Sequence, residues 1–311
     1  MGGTKIGIGF GLWGLGLPSP DTICDYAERA EDQGIDSIWL SDHIVARNPS
    51  FDTACIMAMW AGRTKKIKMG PSVLTMPARD PVQVAKTYAT LDYLSGSCNR
   101  VIMAVGLGSD PKDCQACGVP LEKRGKRMAE AVEVMRKLWA GPNVTHQGEF
   151  YQFEDVTIEP RPAKGALDVW IGGGSDLAIK RTARYGDGWF PSLVTPQEYA
   201  VGLEKLISYG KQYDREVDPD ETGVLIFTHI NENQKKADEI ARAFLSDFPT
   251  MSAEPLIARS AIGPAEMCME KVQSYIDEGC SKFVLWPIAP PDQLVGQVET
   301  FGQKIVPHFV S

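Results

Sequence analysis

The segment DVWIGGGSDLAIKRTARYGDGWF, residues 168–190, contains a complete strand, turn, helix and second strand. The apolar run at 168–171 is typical of a buried strand, and the three glycines and the serine that follow precede a stretch with helical spacing of apolar residues. A second short strand begins at residue 188. Because two consecutive strands joined by a helix pair in parallel with a right-handed crossover, this segment predicts an α/β fold.

The same alternation extends in both directions along the chain. We predict strands at residues 5–10, 37–40, 66–74, 101–105, 168–171, 188–191, 223–228 and 282–286. We predict helices at about 21–33 with Asp21 as the N-terminal cap, at 80–94, at 121–139, from Ser175, and at 196–213. Eight strands that alternate with helices favour a closed (β/α)8 TIM barrel over an open doubly wound sheet.

Two stretches interrupt this alternation. Residues 141–165 contain several prolines and an aromatic pair, and residues 231–263 have helical patterning but precede no predicted strand. The chain shows no internal repeat and no Gly/Ser linker between two halves. We therefore interpret residues 1–311 as a single barrel domain with two insertions, since barrels of this kind often exceed 250 residues.

Composition excludes several classes of protein. A 43% hydrophobic and 23% charged chain is globular, and its net charge of -8 argues against a general nucleic-acid or anionic membrane surface. No apolar run approaches the roughly 18 residues of a transmembrane helix. Seven cysteines, an odd number in a chain of this size, favour reduced cytosolic thiols. We expect a cytoplasmic protein with a small-molecule partner, without nucleic acid or membrane.

Two glycine clusters are candidate anion sites. Residues 172–175, Gly-Gly-Gly-Ser, separate a predicted strand from a predicted helix, where glycine permits close approach and the helix amides favour negative charge. They predict a phosphate site, although a tight turn without ligand would use the same residues. Residues 9–14 fit G-x-G-x-x-G, but Pro18 and Pro20 delay the next helix, which a Rossmann site does not allow.

Asp42 and His43 end the second predicted strand, at the end of the barrel where barrel enzymes hold their sites. Histidine can exchange a proton near neutral pH, and the neighbouring carboxylate can orient a ring or bind a cofactor. A histidine that only packs or caps would look the same. Gly106 begins the loop that follows the fourth strand at the same end.

Metal and thiol chemistry find little support. The four histidines, at positions 43, 146, 229 and 308, are not paired, so no metal site is expected. Cys114 and Cys117 form one C-x-x-C without a second pair, which is weak support for zinc or for a redox dithiol.

Four blocks of sequence together resemble the luciferase-like monooxygenase superfamily, which includes flavin-dependent monooxygenases and deazaflavin-dependent oxidoreductases. They are AERAEDQGIDSIWLSDH (27–43), a block at 70–96 that begins GPSVLTMPARDP, a block at 118–139, and the block at 170–189 that contains WIGGGS. They occur in the family's order and span most of residues 5–290. The resemblance implies a TIM barrel with a reduced flavin or deazaflavin in its C-terminal mouth, usually as a homodimer.

The resemblance also implies roles for individual residues. It implies that Gly172, Gly173, Gly174 and Ser175 bind the cofactor phosphate. It also implies that Ser72 and Val73 form a bulge with a non-proline cis peptide behind the cofactor ring. Asp42 would contact the ring, and His43 would transfer a proton. We add Gly106 to the expected cofactor contacts because of its place at the rim of the barrel.

The two branches of the superfamily differ in chemistry, since reduced FMN activates oxygen whereas coenzyme F420 carries hydride only. Residues 41–43 and 72–73 resemble the F420 branch more closely, so we expect hydride transfer between coenzyme F420 and a small organic substrate. An FMN-dependent monooxygenase is the alternative, and a non-catalytic flavin-binding barrel is a third possibility. Ser109 and Arg47 replace an acid and an aromatic residue of the sugar-phosphate dehydrogenases, which argues against glucose-6-phosphate.

Overall fold

The computed structural model of the protein describes residues 3–11, 14–45, 48–97, 99–218, 221–246 and 252–310. The strands are β1 Lys5–Phe10, β2 Ser37–Leu40, β3 Lys68–Pro71, β4 Leu74–Thr75, β5 Ile102–Gly106, β6 Val144–Gln147, β7 Gln152–Val156, β8 Asp168–Gly172, β9 Gly188–Phe190, β10 Gly223–Ile230, β11 Ala261–Gly263 and β12 Lys282–Pro287. The helices are α1 Pro20–Asp32, α2 Thr53–Arg63, α3 Pro81–Leu94, α4 Pro111–Ala116, α5 Arg124–Ala140, α6 Asp176–Tyr185, α7 Pro196–Gln212, α8 Gln234–Leu245, α9 Ala253–Ala258, α10 Ala265–Ile276, α11 Leu294–Thr300 and α12 Val306–Phe309.

Eight parallel strands follow one another around a barrel, as the alternation predicts. One sheet has the order β11-β10-β12-β1-β2-β3 and the other has the order β4-β5-β8-β9. Isolated bridges between Met69 and Val101 and between Ser192 and Leu225 join the two sheets. The ring is therefore β1-β2-β3-β5-β8-β9-β10-β12, which contains all eight predicted strands and confirms the barrel fold class.

The third predicted strand is divided, so its prediction as one continuous strand over 66–74 is wrong. β3 pairs with β2 as far as Pro71, and β4 resumes at Leu74 with pairing to β5 instead. The peptide bond between Ser72 and Val73, at the point of division, is cis. The cis peptide implied by the family resemblance is thus confirmed, and it lies where the chain changes its pairing partner.

Other local predictions need correction. Ser19, not Asp21, caps α1, because its hydroxyl oxygen accepts from the amide of Thr22 at 3.1 Å. The stretch 231–263 itself ends in a strand, β11, which pairs in parallel with the end of β10. The stretch 141–165 contains the antiparallel hairpin β6–β7.

The N-terminal glycine cluster has the structure that its prolines predict. α1 begins at Pro20, well beyond residues 9–14, so no helix opens within the G-x-G-x-x-G motif. Leu12 and Trp13 of that motif lie outside the described residues. In the part of the chain that the structure covers, no helix has both the length and the apolarity needed to cross a bilayer.

Aromatic side chains fill the interior of the barrel. The Trp39 ring lies 5.2 Å from the Trp170 ring and 4.8 Å from the Phe190 ring, measured between centroids, and all three side chains are buried. They pack with Ile102, Ala104 and Val284 in one inner cluster. Because these side chains occupy the middle of the barrel, space for a ligand remains at the carboxyl ends of the strands.

Glu31, at the end of α1, stabilises the turn before β3 through hydrogen bonds. Its carboxylate accepts the amides of Lys65, Lys66 and Ile67 at 2.5 to 2.9 Å. Burial alone would raise the pKa of Glu31, but these three N–H groups outweigh it and lower the pKa below its ordinary 4.5. The charged carboxylate is therefore bound more strongly by the folded than by the unfolded chain.

We expect Glu31→Gln to lower the free energy of unfolding by about 1–2 kcal/mol at pH 7, because a neutral amide accepts these hydrogen bonds less strongly. Since the folded-state pKa is lowered, the contribution is complete above about pH 4.5 and is lost as the pH falls through the folded-state pKa. Urea unfolding of both proteins between pH 3 and 7 measures this contribution, with Glu28→Gln on the same helix as control. A difference that does not shrink in acid would contradict this assignment.

Candidate functional site

A cavity of about 720 Å³ opens at the carboxyl ends of the barrel strands. Eight residues singled out from the sequence line it, namely Asp42, His43, Ser72, Val73, Gly106, Gly172, Gly173 and Ser175. Gly174 lies in the same loop but is not among the lining residues, and a Cβ added there would lie 3.1 Å from Cγ1 of Val194. Ser109 also lines the cavity, whereas Arg47 lies outside the described residues.

Val73 lies between two of the glycines. A Cβ added at Gly172 would lie 2.8 Å from Cγ1 of Val73, and one added at Gly106 would overlap Cγ2 of the same side chain. Any larger residue at either position would displace Val73 from the floor of the cavity. The close approach of β4, β5 and β8 therefore requires glycine at both positions.

The loop after β8 presents polar groups to the cavity. The Ser175 hydroxyl oxygen accepts from the amide of Ala178 at 3.3 Å as the N-cap of α6, which leaves its O–H available to donate. Gly173 has a φ of 114°, a conformation that L side chains rarely adopt. A turn of this shape at a helix N-terminus suits an anion.

Two arginines complete this part of the cavity, and the sequence interpretation missed both. Arg124 begins α5 and Arg181 lies on α6. Nη1 of Arg124 and Nε of Arg181 are buried and, within the described residues, have no hydrogen-bond partner. Burial first, and then the charge of Arg124, lower the pKa of Arg181. Two neighbouring cations with unused donors make this a candidate anion site; we define the anion site as Gly172, Gly173, Ser175, Arg124 and Arg181.

Helical spacing could have identified one of these arginines. Ser175, Ala178 and Arg181 follow at intervals of three residues, so they share a face of α6 and all line the cavity. Arg124 carries no comparable signal, because only the packing of α5 against α6 brings it to the loop. Gly125 permits that packing, since a Cβ there would lie 3.0 Å from Nη1 of Arg181.

Asp42 is buried at the end of β2 and holds the segment that follows the cis peptide. Its Oδ2 accepts the amide of Thr75 at 2.9 Å, and its Oδ1 accepts Nη2 of Arg79 at 2.6 Å. Burial raises the pKa of Asp42, and the charge of Arg79 opposes that effect. Asp42 therefore positions β4 beside the cavity, while its contact with a cofactor stays a prediction.

His43 is oriented by a carboxylate that the sequence interpretation also missed. Nδ1 of His43 lies 3.2 Å from Oδ2 of Asp113, a fully buried residue of α4. Oδ1 of Asp113 accepts the amides of Ile44 and Val45, both at 2.8 Å. Because a carboxylate can only accept, Nδ1 carries the hydrogen in this pair, which leaves Nε2 of the neutral ring without a hydrogen.

Cys114 follows Asp113 in α4 and is buried, whereas Cys117 beyond the helix is exposed. Each is a free thiol, and burial raises the pKa of Cys114. The thiolate form of Cys114 is therefore disfavoured.

Comparison with known proteins places this barrel and its cavity in one family. The model of the luciferase-like monooxygenase family matches residues 3–304. An F420-dependent glucose-6-phosphate dehydrogenase from Amycolatopsis mediterranei is 28% identical over 301 residues, which cover 94% of this chain and 88% of the relative.

Two solved structures share the fold. A monooxygenase from Streptomyces bottropensis has a TM-score of 0.85 at 17% identity and covers 98% of this chain and 100% of its own. An F420-dependent secondary alcohol dehydrogenase, in complex with an F420–acetone adduct, has a TM-score of 0.83 at 21% identity and covers 98% of each chain. With the family model matching almost end to end on this barrel, the chain belongs to the luciferase-like monooxygenase family.

Proposed function

We propose that the protein is a coenzyme F420-dependent oxidoreductase that transfers a hydride between the deazaflavin and a small organic substrate. The observation that carries this proposal is the presence, in one cavity, of an anion site with unused donors and of a histidine oriented by a carboxylate. The relative that matches over 94% of the chain is an F420-dependent dehydrogenase, which supports F420 over FMN.

The residues present fit the cofactor. The N–H groups of Arg124 and Arg181 and the hydroxyl of Ser175 would bind its phosphate, with the backbone of residues 172–174 beside them. Ser72, Val73 and Gly106, with Asp42, would contact the ring system. The bound cofactor supplies the hydride chemistry, and the protein supplies orientation and electrostatics.

His43 would exchange the proton that accompanies the hydride. Nε2 would accept it from a substrate hydroxyl during oxidation, or donate it to a carbonyl oxygen during reduction. Asp113 would act as a positioning residue, because it holds Nδ1–H and so keeps Nε2 free for the substrate.

We expect Asp113→Asn to lower kcat about 10²-fold while KM and the cofactor Kd change less than about threefold. The new amide donates to Nδ1 of His43, which moves the hydrogen of the neutral ring to Nε2 and removes the proton acceptor. Steady-state kinetics and cofactor titration measure both effects. Asp80→Asn, at the N-cap of α3, is the matched control. A variant that loses thermal stability together with kcat, and whose KM also changes, would show that Asp113 has a structural role only.

An FMN-dependent monooxygenase is the second candidate. Two arginines in the anion site suit a terminal phosphate that carries two negative charges, as FMN does. The same two cations can also bind a phosphodiester, so this feature accommodates FMN without excluding F420.

Titration of the cofactor-free protein with oxidised FMN and with coenzyme F420, monitored by fluorescence quenching, tests the proposal. We expect saturable binding of F420 and at least tenfold weaker binding of FMN. Tight FMN binding without F420 binding would reverse the order of the two candidates. Binding of a flavin without turnover of any substrate would favour a non-catalytic barrel.

We further propose that residues 1–311 form one domain, that the protein is cytoplasmic, and that it forms a homodimer. The family match from residue 3 to 304 supports a single unit. The resemblance to a family whose members are usually homodimers supports the dimer. Light scattering tests the dimer, and a monomeric mass at micromolar concentration would refute it.

A further inference from the structure

The wall of the cavity formed by the segment after β9 and by β10, β12 and α8 is apolar apart from Ser192. We call this surface the apolar wall and define it by Leu193, Leu225, Phe227, Phe244 and Trp286. Leu225, Phe227 and Trp286 are 9%, 3% and 1% exposed, so only a small part of each side chain faces the cavity. The indole N–H of Trp286 points to the carbonyl oxygen of Gly11, at 3.4 Å.

Packing holds the outer part of the apolar wall in place. The Phe244 ring contacts the Phe227 ring edge-on, with centroids 6.1 Å apart at 70°. Phe244 belongs to α8, which packs against the barrel through the fully buried Ala237, Ala241 and Leu245. Because α8 packs against the barrel through the same face that presents Phe244, this aromatic side chain is held in a fixed position in the cavity lining.

The charged groups of the cavity belong to other strand–helix units than the apolar wall. The charged or ionisable lining residues in the described part of the chain are Asp42, His43, Asp110, Lys112, Arg124 and Arg181. All of them follow β2, β5 or β8 in the chain, whereas the residues of the apolar wall follow β9 or lie on β10, β12 or α8. A phosphate placed against that wall would lose its hydration without gaining a counter-charge, which is strongly unfavourable.

We propose that the substrate is an uncharged, mainly apolar alcohol or carbonyl compound, and not a phosphorylated sugar. Its hydrocarbon part packs on the apolar wall while its oxygen faces His43. This inference rests on the proposed function, in which the anion site already serves the cofactor. With coenzyme F420 bound as the hydride acceptor, oxidation of such an alcohol would break the carbinol C–H bond, and Nε2 of His43 would take up the hydroxyl proton, which leaves a carbonyl compound.

The test compares 2-octanol with glucose-6-phosphate, both for binding and for turnover. Saturation-transfer NMR measures binding to the protein with and without coenzyme F420, and the decrease of oxidised F420 absorbance measures turnover. We expect 2-octanol to bind in both states and to exceed glucose-6-phosphate in kcat/KM by at least tenfold. Stronger binding or faster turnover of glucose-6-phosphate would overturn the inference.

Two variants locate the binding surface. Phe244→Ala should weaken 2-octanol binding about tenfold, because it removes an aromatic contact. Leu193→Asn introduces a polar side chain into the apolar wall and should therefore weaken 2-octanol binding. Asparagine tolerates the φ of 58° at this position, so the variant should still fold. Val201→Ala, on the exposed side of α7, is the control. Unchanged 2-octanol affinity in both wall variants would refute the apolar wall as the substrate site.

The outcomes separate this inference from the proposed function. Binding of 2-octanol to the apolar wall, without binding of F420 or FMN, would refute the oxidoreductase proposal alone. Reduction of bound F420 by glucose-6-phosphate in preference to apolar alcohols would refute the substrate class alone.

Discussion

We expect His43→Ala to lower kcat about 10²- to 10⁴-fold, with the Kd of coenzyme F420 within about threefold of the wild-type value. The expected loss is large because, in our proposal, Nε2 of His43 exchanges the proton that accompanies hydride transfer. Cofactor affinity is expected to survive because the anion site is formed by other elements, α5, α6 and the loop after β8. Single-turnover kinetics and fluorescence titration measure the two quantities.

The control for this variant is His308→Ala, in the C-terminal α12 and away from the cavity. The double variant His43→Ala with Asp113→Asn adds a sharper test. If Asp113 acts through His43, the double variant loses no more activity than His43→Ala alone. Additive losses would show that Asp113 has an independent role, and an unchanged kcat in His43→Ala would remove this histidine from the mechanism.

The second large effect is expected on cofactor binding. Arg181→Met and Arg124→Met should each raise the Kd of the cofactor about 10- to 100-fold, because each removes a charge-assisted hydrogen bond to phosphate in a partly buried site. Arg184→Met, on the same helix α6 but stacked on Tyr185 at the surface, is the matched control. An unchanged Kd in both anion-site variants would show that the phosphate binds elsewhere.

Thermal unfolding of the same variants gives an independent readout. Burial and the neighbouring charge of Arg124 lower the pKa of Arg181. The charged Arg181 side chain therefore lowers the free energy of unfolding of the cofactor-free protein. We expect cofactor-free Arg181→Met to unfold at the same or a higher temperature than the wild type. The increase in Tm on cofactor addition should be smaller in the variant, because weaker binding stabilises less. A Tm loss in the cofactor-free variant would mean that Arg181 serves the fold.

The parts of the site that could be predicted are those encoded locally. Alternating strands and helices predicted the barrel, and in a parallel barrel every residue just after a strand lies at the same end. That rule alone brought Asp42, His43, Gly106, Gly172, Gly173 and Ser175 to one cavity. The cis peptide at Ser72–Val73 came from the family resemblance, since no local pattern distinguishes it.

The parts that could not be predicted depend on contacts between distant segments. Asp113 lies 70 residues from His43, and its role follows only from the fold of the loop after β5. Arg124 becomes part of the anion site because α5 packs beside α6. Phe244 reaches the cavity because α8 lies over β10, within a stretch that the sequence interpretation treated as an insertion without a strand.

The sequence by itself determined the order of strands and helices. It also determined that the glycines and the histidine lie at the strand ends, because periodicity and turn chemistry act over a few residues. The tertiary structure alone decided which nitrogen of His43 is free, where two unpartnered cations meet and which wall of the cavity is apolar. These properties arise from side chains brought together across the barrel, and their energies depend on burial and on neighbours that no local pattern contains.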